Sequence, residues 1–223
     1  MFGEDFRKEE LALKQRLGFV PGGFDNYPKK KVGTIAGVVS RFYRDWDPAA
    51  WQSLCRRFEL DETKTPEQLS AGMKVKLSLA LALSHKAELL ILDEPTSGLD
   101  PVSREDLLEL FLQLCDEGTS ILFSTHITSD LEKCADEITY IRAGEIVESG
   151  PIGDFVSRYR LISGPSMPKH PAILGVRRSK TGSTGLVTED SLAGLPEELR
   201  ATAAAATLED IMVHFEREVS PDA

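Results

Sequence analysis

The sequence predicts an α/β fold built on a parallel sheet, on three observations. Leu89-Leu90-Ile91-Leu92 is a continuous apolar run, the mark of a strand covered on both faces. Ser120-Ile121-Leu122-Phe123-Ser124 is a second such run. Between them, Asp100-Pro101 opens a helix and Gly118 ends it. Strand, helix and strand within roughly thirty residues make a βαβ unit, which requires parallel strands and a right-handed crossover.

The remaining elements follow in order. Residues 4–16 are charged and helix-forming and lead into a strand at Leu17-Gly18-Phe19-Val20, broken by Pro21, Gly22 and Gly23. A loop carrying Lys29, Lys30 and Lys31 precedes helices at about 34–45 and 48–58, the second started by Asp47 and Pro48. A polar loop, 59–69, leads into a long helix over about 72–85. Beyond the βαβ unit, Ser129 with Glu132 reads as a capping box for a helix at about 129–135. Strands near 137–142 and 145–148 pair through Ala143-Gly144. Residues 163–200, rich in Gly, Ser, Pro and Thr, form a small β appendage or a loose linker. Ala201–Ala206 is low in complexity, and Thr207 with Asp210 starts a final helix from Leu208 to Glu218.

Composition narrows the functional classes. The 223 residues carry 26 Lys+Arg against 36 Asp+Glu, a net charge of −10, which argues against a dedicated nucleic-acid binder. The longest apolar run, Leu77 to Leu83, falls far short of the ~20 residues that cross a bilayer. Cys55, Cys115 and Cys134 are scattered without a CxxC, as buried thiols of a reducing compartment would be. The expectation is a cytoplasmic protein.

In a parallel α/β sheet, ligands bind at the carboxyl ends of the strands. Asp93 and Glu94 end the first buried strand, and His126 lies two residues past the second. Two acids and an imidazole on one sheet edge suit a hydrated divalent metal, a general base and a contact for a phosphate ester. A lone Asp-Glu is more often a turn and a lone His more often structural; their convergence favours the functional reading. In Leu69-Ser70-Ala71-Gly72-Met73, Ser70 caps the following helix, whose free amides and dipole suit an anion.

The order LSAGM, LLILDEP, SGLD and STH resembles the nucleotide-binding subunit of ABC transporters, and most the stand-alone ATPase subunits of small bacterial exporters. LSAGM resembles the signature, LLILDEP Walker B, SGLD the D-loop and STH the switch-histidine loop; the likeness covers roughly residues 1–150. It implies a P-loop NTPase-like ABC ATPase core with a parallel sheet and a helical subdomain at about 34–85, a domain over 1–160 and a small C-terminal appendage over 161–223. It implies ATP and Mg²⁺ as ligands. Asp93 would hold Mg²⁺ through water, Glu94 would act as general base, and His126 would meet the γ-phosphate. Ser70, Ala71 and Gly72 would serve the ATP of an opposite subunit, and Asp100 would link the two sites. Partners would be a second ATPase subunit, identical or not, and a transmembrane permease that keeps the chain peripheral on the inner face of the membrane.

The resemblance departs at two points. No G-x-x-x-x-G-K-[ST] occurs in the chain, and the adenine-stacking aromatic upstream of it is missing too. Losing three charge-assisted hydrogen bonds to phosphate would cost about 4.5–9 kcal/mol, so the chain alone is expected to bind ATP poorly. A truncated or mis-started reading frame is the expected cause. Where the family's Q-loop carries Gln or an acid, this sequence has Gly22 and Gly23. Lys29–Lys31 would lie near the permease, near anionic lipid, or in a solvated loop. The alternative reading is an accessory subunit that donates LSAGM to a partner's ATP site.

Overall fold

β1 (Leu17–Val20), β2 (Leu89–Asp93) and β3 (Ser120–Ser124) pair in parallel, in that spatial order. The computed structural model describes residues 2–21, 27–180 and 182–219, so Gly22, Gly23 and the Q-loop position lie outside the described residues. The chain forms two compact units, Met1–His126 and Ile127–Ala223.

In the first unit, α1 (Phe6–Gln15) precedes β1, and α2 (Val32–Val39), α3 (Pro48–Arg57) and α4 (Ala71–Leu83) connect β1 to β2. α5 (Pro101–Asp116) connects β2 to β3. The expected starts of α3 and α5 are present: Asp47 accepts from the Ala49 and Ala50 amides, and Asp100 from those of Val102 and Ser103. The helix expected at 34–45 instead spans Val32–Val39 and tightens to a 3₁₀ turn at Ser40–Phe42. Its early start is stabilised from a distance, because the Val32 and Gly33 amides donate to Lys64 O and Glu62 O. His85, past the end of α4, stacks on Tyr43 at 3.6 Å, and its Nδ1 lies 3.1 Å from Gln15 O. Burial pushes its pKa down and favours the neutral ring.

The register fixes which side chains share a face. Gly18 pairs with Leu90 and Leu90 with Ile121; Val20 pairs with Leu92 and Leu92 with Phe123. α4 packs on this set, because a Cβ built on Gly18 would lie 2.5 Å from Ala82 Cβ and 2.6 Å from Leu90 Cδ2. α5 packs on the same set: Phe111 sits 5.9 Å ring to ring from Phe123, beside its buried neighbours Leu107, Leu108 and Leu114. Two right-handed crossovers stepping in one direction across a sheet leave both helices on one side, and that is the arrangement found. The opposite row, Phe19, Ile91 and Leu122, is therefore not covered as expected: Phe19 is 65 % and Leu122 61 % exposed. A continuous apolar run does not report that its second face lacks a helix layer.

The second unit contains α6 (Thr128–Cys134), a hairpin of β4 (Glu137–Arg142) and β5 (Glu145–Pro151), and α7 (Ile152–Ser157). It continues through β6 (Tyr159–Gly164), β7 (Leu174–Ser179) and β8 (Gly182–Thr188). Short helices α8 (Glu189–Leu192) and α9 (Glu197–Arg200) precede β9 (Ala204–Ala205) and α10 (Leu208–Val219). Its four-stranded sheet, ordered β7-β8-β6-β9, is antiparallel throughout, so residues 163–200 form a β appendage rather than a linker. The hairpin joins this unit because Ile138, Tyr140, Phe155, Leu186, Ile211 and Phe215 share one core, and the compact units accordingly divide before Ile127.

Two local expectations are corrected here. α6 starts after Ile127 without a side-chain cap, and Glu132 accepts instead from the Leu208 amide at 2.6 Å. That bond adds to the reciprocal Thr207–Asp210 box at the start of α10. Of the three cysteines only Cys55 is buried, with its thiol pushed up to about 11 by burial; Cys115 is exposed and Cys134 half-buried. Among the described residues no helix is long and apolar enough to cross a membrane.

The contact at Gly18 is directly testable. Gly18→Ala should lower stability by about 1–3 kcal/mol through overpacking against Ala82 and Leu90, read as a lower urea midpoint. Gly37→Ala, in helix α2 where a Cβ meets nothing within 4 Å, should raise it by about 0.5–1 kcal/mol.

Candidate functional site

The site grows out of the register of β2 and β3. Asp93 pairs with Ser124 at the carboxyl ends of both strands, so the two side chains meet where the ladder stops. Ser124 Oγ donates to Asp93 Oδ1 at 2.7 Å. The Glu94 amide donates to Ser124 Oγ and to Ser124 O, each at 3.1 Å. Glu94 itself is left-handed, with φ +46, a conformation that costs a non-glycine residue about 1–2 kcal/mol. The forked hydrogen bond from its amide offsets that strain and aims its side chain along the sheet edge.

His126, two residues beyond β3, reaches back to this carboxylate. Its Nδ1 hydrogen-bonds Glu94 Oε1 at 3.0 Å and stands 2.9 Å from Oε2. Oε2 is buried and has no hydrogen-bond donor; its short distance to Nδ1 lies off the N–H direction, so we assign the bond to Oε1. An ionised Glu94 accepts, so Nδ1 carries the hydrogen and Nε2 is left to face outward on a side chain that is 71 % exposed. Asp93, Glu94 and His126, expected from the sequence to converge, do so, and Ser124 joins them.

Ser70, Ala71, Gly72 and Asp100 form a second group. Ser70 caps α4 by accepting from the Met73 amide at 3.2 Å, and it and Ala71 are exposed at the helix start. A Cβ on Gly72 would meet Ser103 Cβ at 3.6 Å and Leu99 Cδ2 at 3.9 Å, ordinary contacts. Packing within the chain therefore does not require glycine there. These contacts set the start of α4 beside the residues flanking Asp100.

Among the described residues no cluster of three or more His, Cys, Asp and Glu could cage a metal. The oxygens that do meet at the strand ends are hard donors: the Asp93 carboxylate and the Ser124 hydroxyl. That set fits Mg²⁺ bound by one carboxylate, water and substrate phosphate, and does not fit a resident zinc. The sequence reading omitted Ser124; the signal was available, since a hydroxyl residue ends the second apolar run just as Asp93 ends the first.

A family model described as AAA domain, putative AbiEii toxin, Type IV TA system, matches residues 58–129. The ABC transporter ATP-binding protein YtrB of Bacillus subtilis (strain 168) is 29% identical over 153 residues, covering 68% of this chain and 52% of YtrB. The chain thus spans about half the length of the first curated relatives it matches. An uncharacterized ABC transporter ATP-binding protein, BpOF4_11395 of Alkalihalophilus pseudofirmus, is 33% identical over 199 residues, covering 82% of this chain and 73% of the relative. A solved structure of the ATP binding subunit of an ABC transporter superposes with a TM-score of 0.60 at 25% identity, covering 69% of this chain and 66% of that one.

The cap at Asp100 carries a pH dependence. The Ser103 hydroxyl first, then the Ser103 and Val102 amides, hold this carboxyl below its ordinary value. Its contribution to the start of α5 is complete above the unfolded value of about 3.9 and is lost as pH falls through the lower folded value. The amide-proton shifts of Val102 and Ser103 should titrate together with a midpoint below about 3.9, and Asp100→Asn should abolish that titration.

Proposed function

Because this chain belongs to the family of ABC transporter ATP-binding proteins, we propose that it acts as the ATP-binding and ATP-hydrolysing subunit of an exporter, paired with a second ATPase subunit and a transmembrane permease. The observation that carries this reading is the Asp93–Ser124–Glu94–His126 network at the ends of two paired parallel strands. Phosphoryl transfer is governed by positioning and charge neutralisation more than by covalent chemistry, and the network supplies groups for both.

In this mechanism Asp93 would hold Mg²⁺ through water, its carboxylate oriented by the hydroxyl donor Ser124. When bound, Mg²⁺ supplies charge neutralisation across the phosphates of ATP. Glu94 accepts a proton from the attacking water. The hydrogen bond between His126 and Oε1 orients this carboxylate. His126 then presents Nε2 toward the terminal phosphate. Ser70, Ala71 and Gly72, at an open helix start, contact the ATP of the opposite subunit, and Asp100 links the two sites.

The 223 residues contain no G-x-x-x-x-G-K-[ST], so the chain by itself binds ATP weakly and turns it over negligibly. Joining it to a P-loop-bearing N-terminal segment from a relative should yield Mg²⁺-dependent hydrolysis. In that fusion Glu94→Gln should lower kcat by about 10²–10⁴-fold, whereas hydrolysis that survives the substitution would remove Glu94 from the role of base.

A second reading rests on the exposed Ser70–Ala71 start of α4: an accessory subunit that completes a partner's ATP site. Adding the chain to a P-loop-bearing partner should then raise that partner's turnover, and Ser70→Arg should cancel the rise. No stimulation in the mixture leaves the first reading alone.

A further inference from the structure

We propose that Ser124 is a positioning residue whose single hydroxyl sets both carboxylates of the site, orienting the Asp93 side chain and holding the Glu94 backbone left-handed. The inference deepens the ATPase reading and rests on it for its meaning, but its geometry is independent of nucleotide.

Ser124 Oγ has two partners, and both belong to the acidic pair. It donates its hydrogen to Asp93 Oδ1 at 2.7 Å and accepts the Glu94 N–H at 3.1 Å. Those roles are complementary: a hydroxyl has one hydrogen to give and lone pairs to receive, and here one of each is used. The residue is exposed, so it has no packing role that would explain a serine there. Its backbone is anchored by the ladder opposite Asp93, which places the hydroxyl within reach of both neighbours at once. Alanine at 124 would keep the ladder and the bond from Glu94 N to the Ser124 carbonyl. It would remove the donor to Asp93 and half of the fork that supports φ +46 at Glu94. Partners of this kind, one step behind a ligand, change metal affinity by about 10–100-fold when removed.

The test uses the 223-residue chain and two nuclear magnetic resonance readouts. The first is the Glu94 amide-to-Hα coupling with the Asp93 carboxyl carbon shift, which reports the local geometry without any ligand. The second is paramagnetic broadening of Asp93 and Glu94 by Mn²⁺ alone, as the stand-in for Mg²⁺. Ser124→Ala should move both local signals while leaving the amides of Leu90 and Ile121 in place, and should weaken Mn²⁺ binding about tenfold or more. Ser124→Thr, which keeps the hydroxyl, should restore both readouts. Should the alanine variant not fold, Ser124→Cys, of similar size but with a weak S–H donor, should give the same shifts. Unchanged Glu94 and Asp93 signals in Ser124→Ala overturn the proposal, as does failure of Ser124→Thr to restore them. If Mn²⁺ broadens neither residue in the wild-type chain while the local signals still move, the positioning role stands and the metal-binding role of Asp93 falls.

Discussion

The site depends on one pairing: Asp93 faces Ser124 in the last rung of the ladder between β2 and β3. Side chains alternate faces along a strand, so a slip of one residue would turn both groups away from each other and expose the buried Leu90 and Leu92. The apolar rows below thereby enforce the polar arrangement at the edge. Leu90 and Leu92 are fixed by α4 and α5, and Asp93 is carried with them. Chemistry at the strand ends is in this sense a by-product of the packing beneath it.

That packing is one-sided. The crossovers from β1 to β2 and from β2 to β3 both advance in the same direction across the sheet, so α4 and α5 cover the same face. Gly18 is what allows α4 to lie close: its missing side chain is the space Ala82 fills. The loop from Glu94 to Asp100 and the start of α5 follow from the same layer. Asp100 turns the chain by capping α5, which returns the backbone over the strands and on to β3. The two groups of candidate residues thus sit at the start of helices or the end of strands, the places where backbone amides and carbonyls are free to be used.

Much of this was legible in the sequence because the signals were local. Apolar runs gave β2 and β3 within a residue of their ends, and Asp47-Pro48 and Asp100-Pro101 gave the starts of α3 and α5. Asp93, Glu94 and His126 were readable as a group because two strand ends were readable. What escaped was non-local. The start of α2 is fixed by carbonyls of Glu62 and Lys64, which no nearby residue announces. Glu132 has the spacing of a box with Ser129, yet its oxygen goes to Leu208. The bare face of the sheet escaped because residue patterning records that a strand is apolar, not whether anything lies over it. Ser124 was passed over because a serine at a strand end has no periodicity, and its meaning comes only from the partner opposite.

The row of exposed Phe19, half-buried Ile91 and exposed Leu122 bears on the protein's colloidal behaviour. An apolar sheet face open to water is a surface for self-association, held off in dilute solution by like charge. The chain carries that protection as a net charge of −10 at neutral pH, and its isoelectric point is about 5.0. Mild acid near that point therefore removes repulsion while leaving the apolar sheet face as it is.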